Sequence, residues 1–197
     1  MILAAGAATR FGGGKLAAGL EGRPLLRHVV DAAVAAGLDP VIVVEPPDGS
    51  LAGLDLASAR RVVNPTPQDG LSGSVRIGLR ALDDDRELDA AVILPGDQPR
   101  VRPAVIRALI AAAADPPHTP FVVARYAGDG APNPILARRS IWRLADELAG
   151  DRGFGPLLAA HDELVRYVPV DGSNPDVDTP ADLRRLTEAA ESAPDVS

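Results

Sequence analysis

The chain has 197 residues, a net charge of −7 and 46% hydrophobic residues. That length suits one domain with a real core rather than two independent ones, and the acidic balance excludes a nucleic-acid binder that works through a general basic field. There are no cysteines, which excludes disulfides, thiolate metal sites and a cysteine nucleophile.

Short apolar runs alternate with longer amphipathic stretches from end to end. "MILA" is the first strand fragment. The chain begins almost inside it, which leaves either an unusually short central strand or a start assigned too late. "RPLLRHVVDAAVAAG" reads as a helix with Leu25, Leu26, Val29, Val30, Ala33 and Val34 on one face, Pro24 in its first turn and Gly37 as its stop. "PVIVVE" and "ARRVVN" read as buried strands, and "LSGSVRIGLRALDD" as a helix capped by Ser72 with Val75, Leu79 and Leu82 inward. Then come the strand "AAVILPGD", the helix "RPAVIRALIAAAA" with Val105, Ile106, Leu109 and Ile110 packed, and the strand "PFVVARY". The helix "RSIWRLADELAG", the strand "LVRYVPV" and the helix "TPADLRRLTEAAE" complete the pattern. Continuous apolar strands separated by helices predict an open α/β domain, a Rossmann-like three-layer α/β/α arrangement with a mostly parallel central sheet. Residues 1–188 are expected to form this one domain, and residues 189–197 a disordered tail. The N-terminus lacks a basic region leading into an apolar core and cleavage site, and no apolar run is long enough to span a bilayer, so the expected location is the cytoplasm.

In such sheets ligands sit at the carboxyl ends of the strands. Three polar clusters fall there and should converge on one crevice: "LAAGAATRFGGGKL" from Leu3 to Leu16, "PGDQP" around Asp97, and "NPDVDTP" around Asp178. Glycine is conformationally costly when ordered, so its density after an apolar run implies close backbone approach to something, and Arg10 and Lys15 beside it make a nest for an anion. The competing reading is a pair of solvated basic side chains on a surface loop. The loop is not a Walker A motif, because Thr9 stands where the first glycine belongs and Leu16 follows the lysine. Nor does it fit the dinucleotide fingerprint, since Gly6 is followed by Ala7, Ala8 and Thr9. Asp97 on its own is a good turn former. Thr179 as N-cap, Pro180 and Asp182 make a complete helix start. They leave Asp176 and Asp178 unexplained, two carboxylates that repel each other unless a cation lies near. The helix opening at Ser72 and Ser74 is a ready anion or base site, and Asn64 terminates a strand before a proline. The histidines, His28, His118 and His161, have no metal-site spacing.

The spacing L-A-A-G-x-x-x-R-x-G-x-x-K resembles the MobA-like nucleotidyltransferases, especially the molybdenum cofactor cytidylyltransferase branch, and the G-D-x-P and D-x-D-T-P elements follow in the same order. The resemblance implies a fold of the nucleotide-diphospho-sugar transferase type and a Mg²⁺-dependent enzyme. Such an enzyme moves NMP from an NTP to a phosphorylated acceptor such as molybdopterin and releases pyrophosphate. It assigns Leu3, Ala4, Ala5 and Gly6 to the nucleotide, Arg10 and Lys15 to the triphosphate, and Ser72 and Ser74 to the nucleobase side. Asp97 and Asp178 become Mg²⁺ ligands, with Asp176 a weaker candidate, and Arg10, Lys15 and Asp97 the catalytic set. CTP is favoured over GTP because the guanylyl branch shows L-A-G-G. The resemblance also implies contact of the product-bearing protein with a molybdoenzyme or its chaperone. Two places depart from the pattern: "GDRGFG" has Gly155 where an arginine is expected, and Asn133-Pro134 replaces His-Pro. Both bear on the acceptor, so a different acceptor, GTP as donor, or a binding, maturation or redox protein on the same fold stand as alternatives.

Overall fold

A computed structural model describes residues 1–6, 8–116, 118–128 and 132–191. In chain order the elements are β1 (Ile2–Leu3), β2 (Gly19–Leu20), β3 (Arg23–Pro24), α1 (Leu25–Ala35), β4 (Ile42–Glu45), β5 (Arg60–Val63) and α2 (Leu71–Asp83). They continue with β6 (Ala90–Pro95), α3 (Pro103–Ala114), β7 (Phe121–Tyr126), β8 (Ile135–Arg138), α4 (Gly155–Ala160), β9 (Val165–Val170) and α5 (Pro180–Glu191). Seven strands form one sheet in the order β5-β4-β1-β6-β8-β7-β9, and β2 and β3 make a separate small hairpin. All neighbours in the large sheet are parallel except at β8, which runs antiparallel to both β6 and β7.

Side chains alternate across this sheet and build a core on each face. Ile2, Val43, Val92, Leu94 and Val122 pack with Leu26, Val29 and Val30 of α1 and Ile106 and Leu109 of α3. Leu3, Ile42, Val44, Ile93 and Val123 face the other way, onto Val75, Leu79 and Leu82 of α2 and onto Trp142, Phe154 and Leu158. The expected three layers are therefore present. The two-residue β1 is central despite its length, because Ile2 pairs with Val43 on one side and Leu94 on the other.

Several local expectations change. Residues Arg139–Glu147 form a 3-10 helix and not an α-helix. β5 lies at the sheet edge, so Arg60–Val63 of "ARRVVN" are not buried, Val63 being largely exposed, and only Asn64 at its end is. Val34 and Ile110 belong to the exposed rim of their helices, because a helix docked on a flat sheet covers only part of its circumference. Pro24 precedes α1 at its N-cap, and Ser72 does not cap α2: the cap position is Gly70 and Ser72 sits inside the first turn. α5 runs on to Glu191, and residues 192–197 lie outside the described residues.

Candidate active site

The sheet brings the carboxyl ends of β1 and β6 side by side. Gly96 N–H donates to the Leu3 carbonyl at 2.9 Å, and a Cβ at Gly96 would lie 2.9 Å from that oxygen and 3.2 Å from Leu26 Cδ1. Only glycine permits this approach, so the turn bearing Asp97 starts directly beside the glycine-rich loop. In that loop Gly12, Gly13 and Gly14 all have positive φ, at 87°, 97° and 63°. The left-handed run turns the chain into the short 3-10 helix Lys15–Ala17 and sends Lys15 back toward the sheet.

Lys15 Nζ lies 2.6 Å from Asp97 Oδ2 and 3.4 Å from Asp178 Oδ1, with its side chain only 11% exposed. Arg10 Nη2 meets the other oxygen, Asp178 Oδ2, at 2.9 Å. Asp97 and Asp178, expected to converge from distant parts of the chain, thus share one cation.

Three bonds fasten the segments that carry these aspartates. Val177 N–H donates to the Asp97 carbonyl at 3.0 Å. Gln98 Nε2 donates to Asp176 Oδ1 at 2.9 Å, and Asn174 Nδ2 donates to Gln98 Oε1 at 3.0 Å. Asp176 keeps part of its surface in solvent, yet partial desolvation, followed by the charge of Asp97, pushes its carboxyl above the usual range, with Gln98 opposing the rise. Just downstream the helix start forms as expected. Asp182 Oδ2 accepts from Thr179 N–H at 2.7 Å, and Asp182 N–H donates to Thr179 Oγ1 at 3.3 Å. Thr179 Oγ1 also donates to Asp182 Oδ2 at 2.8 Å, and that bond foremost, with those from the Thr179 and Asp178 N–H groups, holds the Asp182 carboxyl below its ordinary value.

A cavity of about 740 Å³ opens over this centre. It is lined by Leu3, Ala4, Ala5, Gly6, Arg10, Lys15, Ser74, Asp97, Asp176 and Asp178, and its volume is that of an ordinary small-molecule site. Ser72 stands apart from these predicted contacts. It is fully buried and does not line the cavity, and its hydroxyl has no hydrogen-bond partner among the described residues. The reason is its place in the first turn of α2, which turns the side chain inward. Asn64 does more than end β5: it is buried, and its Nδ2 donates to Ser74 Oγ at 3.0 Å. Elsewhere the lining includes Asn133, Asp151, Arg152, Phe154 and Gly155, so both departures from the family pattern lie on the cavity wall, with Arg152 as a basic side chain nearby. Phe154 anchors that wall by an edge-to-face contact with Phe121, with ring centroids 5.0 Å apart.

The donors fit a hard divalent cation. They are carboxylate oxygens already close enough to share a charge, and no group of three or more His, Cys, Asp or Glu among the described residues makes a complete cage. Mg²⁺ suits such a site, because it binds through one or two carboxylates and completes its shell with waters and phosphate oxygens. The histidines are engaged elsewhere: His28 Nε2 bonds the Leu20 carbonyl, His118 meets Arg138 and His161 meets Glu163. Among the described residues no helix is long and apolar enough to cross a membrane.

Fold and site together define an α/β domain of the nucleotide-diphospho-sugar transferase type, with a cation–carboxylate centre at the carboxyl edge of its sheet. The chain belongs to the MobA-like NTP transferase domain family, which matches residues 1–164. Among solved structures it is similar to Rv0371c from Mycobacterium tuberculosis H37Rv, with 33% identity, 95% of each chain covered and a TM-score of 0.82. A second structure, Rv0371C in complex with manganese, has 32% identity and a TM-score of 0.79, covering 95% of this chain and 96% of that one. Among curated proteins it is similar to 3-deoxy-manno-octulosonate cytidylyltransferase of Methylorubrum populi, 37% identical over 112 residues, which is 56% of this chain and 44% of that protein. The chain thus spans less than half the length of this curated relative.

Proposed function

We propose that the chain is a divalent-metal-dependent cytidylyltransferase that moves CMP from CTP to a phosphorylated small-molecule acceptor such as molybdopterin and releases pyrophosphate. The observation that carries this reading is the convergence of Lys15, Arg10, Asp97 and Asp178 in the cavity beside Leu3–Gly6. The cytidylyltransferase name of the curated relative supports CTP as donor, and the manganese complex of Rv0371C supports a divalent metal.

In this reading Leu3–Gly6 receive the nucleotide, and Arg10 and Lys15 exchange their carboxylate partners for triphosphate oxygens. An acceptor phosphate oxygen attacks the α-phosphorus in line. The new P–O bond forms as the bond from the α-phosphorus to the β-phosphate bridging oxygen breaks, and that oxygen leaves with its electron pair in pyrophosphate. Positioning and charge neutralisation suffice, so no covalent enzyme intermediate is needed. Mg²⁺ held by Asp97 and Asp178 would supply neutralisation of the phosphate charge. Lys15 and Arg10 steady the departing pyrophosphate.

The curated relative's name favours a second acceptor, a keto-sugar acid attacking through a hydroxyl. Titration calorimetry with CTP and GTP, with and without Mg²⁺, followed by pyrophosphate release with molybdopterin or 3-deoxy-manno-octulosonate, tests both. Metal-dependent CTP binding and release with one acceptor is the expected result. Absence of metal-dependent nucleotide binding overturns the reading in favour of a binding, maturation or redox protein on the same fold.

A further inference from the structure

Gln98 and Asn174 are each only 1% exposed. Burying two primary amides is unfavourable unless their bonds are used, and here the bonds form a directed chain. Asp176 Oδ1 can only accept from an amide while its carboxylate is charged, so Gln98 must present Nε2 to it, at 2.9 Å. That choice turns Gln98 Oε1 toward Asn174, which must then present Nδ2, at 3.0 Å. The anion at one end sets the orientation of both amides. The far end of the chain, Asn174 Oδ1, is buried with no partner among the described residues.

The relay also crosses between the two acidic segments. Gln98 adjoins Asp97, while Asn174 and Asp176 lie in the loop that delivers Asp178, and the Val177–Asp97 backbone bond runs alongside. Resting on the reading of this cavity as a metal–nucleotide site, we propose that Gln98 and Asn174 are positioning residues. Their amide relay, with the Val177–Asp97 backbone bond, ties the loop of Asp176 and Asp178 to the turn of Asp97 and so sets how the two ligand carboxylates, Asp97 and Asp178, stand to each other. Asp97 and Asp178 would hold the ion, and Asp176 stands outside that pair on the cavity wall. Partners that bond the ligands directly commonly change metal affinity by about 10- to 100-fold, and the relay acts one step further out, so the lower end of that range is its ceiling.

The test is Mn²⁺ titration of the protein with CTP, followed by electron paramagnetic resonance of the free ion, together with CTP binding measured without metal. Gln98→Met keeps the side-chain length and removes both relay bonds. It should weaken Mn²⁺ binding by up to about tenfold and leave metal-free CTP affinity within about twofold, a split that general loosening of the domain does not produce. Asn174→Ala should move Mn²⁺ affinity in the same direction by less, and it serves as the readout if Gln98→Met does not fold. Mn²⁺ binding equal to wild type in the folded variant overturns the relay alone. Failure of the wild-type protein to bind Mn²⁺ with CTP overturns the metal–nucleotide reading itself, and the relay with it.

Discussion

Asp176 and Asp182 lie in one acidic stretch and meet opposite conditions. Asp182 is served by its own helix start, where Thr179 and the adjacent backbone N–H groups donate to it, and its carboxyl titrates below the ordinary value. Asp176 is partly desolvated beside Asp97 and Asp178, and its carboxyl titrates above the ordinary value. A carboxylate whose charge is satisfied by neighbours in its own turn belongs to the fold. One whose surroundings oppose its charge, and which the buried amide of Gln98 holds on the wall of the cavity, is the contrasting case.

The comparison is broken most severely at Asp97. Asp97→Asn removes a charge from the carboxylate pair and should lower pyrophosphate release by about 10³-fold or more, since charge stabilisation at the reacting phosphate is a matter of several kcal/mol. Circular dichroism should still report a folded protein. If transfer persists at the wild-type rate, Asp97 belongs with Asp182 as a structural turn former.

Lys15→Met sharpens the comparison from the cationic side. Loss of a cation from the transferring polyphosphate should reduce turnover by about 10²- to 10³-fold. In the same variant Asp97 and Asp178 lose the ammonium that now sits 2.6 Å and 3.4 Å from them. Mn²⁺ binding in the absence of nucleotide should therefore tighten, so that one substitution damages the chemistry while improving the metal site. Unchanged metal binding would mean that the two carboxylates do not share a cation position.

Asp176→Asn reads the sign of the shift directly, since the asparagine keeps an oxygen for Gln98 and removes the charge. A carboxyl raised in the folded state contributes stability that is complete below its ordinary value and lost as pH rises through the folded value. At neutral pH the charged Asp176 therefore works against the metal-free fold. The variant should melt higher than wild type at pH 7 without metal, and the gain should shrink toward about pH 4, where carboxyls of ordinary value protonate. A variant that melts lower at neutral pH would place Asp176 with the satisfied group.

How much of this could be read from the chain differs by the kind of interaction. The glycine loop, Asp97 and Asp178 were legible because each follows an apolar run whose carboxyl end must lie at one edge of a parallel sheet. The Thr179–Asp182 cap was legible because every partner lies within one turn. β8 escaped: Ile135–Arg138 is a short run whose strand character comes from antiparallel pairing, with β7 just before it and with β6 far earlier in the chain. Arg139–Glu147 carries an amphipathic spacing that suits an α-helix, whereas Trp142 Nε1 turns back to the Ala137 carbonyl of β8 at 3.0 Å, a contact that spacing does not express. The Gln98–Asn174 relay was hidden because its partners come from distant parts of the chain. Gln98 stands next to Asp97 in "PGDQP" and Asn174 opens "NPDVDTP", so adjacency to the two acidic motifs was the one available signal. Ser72 misled, because a serine near a helix start suggests a cap, whereas the chain places glycine there.

The mildest test concerns the satisfied end of the stretch. Thr179→Ala removes the hydroxyl that donates to Asp182 Oδ2 at 2.8 Å and accepts from Asp182 N–H. Loss of an N-cap costs about 1 kcal/mol, which for a domain of this size is a fall of about 2–4 °C in melting temperature. Because Asp182 is held below its ordinary value, the stability it gives is present above that value and disappears as pH falls through the lowered one. The difference between Thr179→Ala and wild type should therefore be full at neutral pH and narrow in acid, a loss of stability where Asp176→Asn brings a gain over the same pH range. Mn²⁺ affinity with CTP should stay at the wild-type value, since Asp182 faces its own helix start and not the cavity. A metal-binding defect in Thr179→Ala would mean that the cap also sets the position of Asp178, whose N–H donates to Asp182 Oδ2 at 3.1 Å, and the separation between fold and site within this stretch would no longer hold.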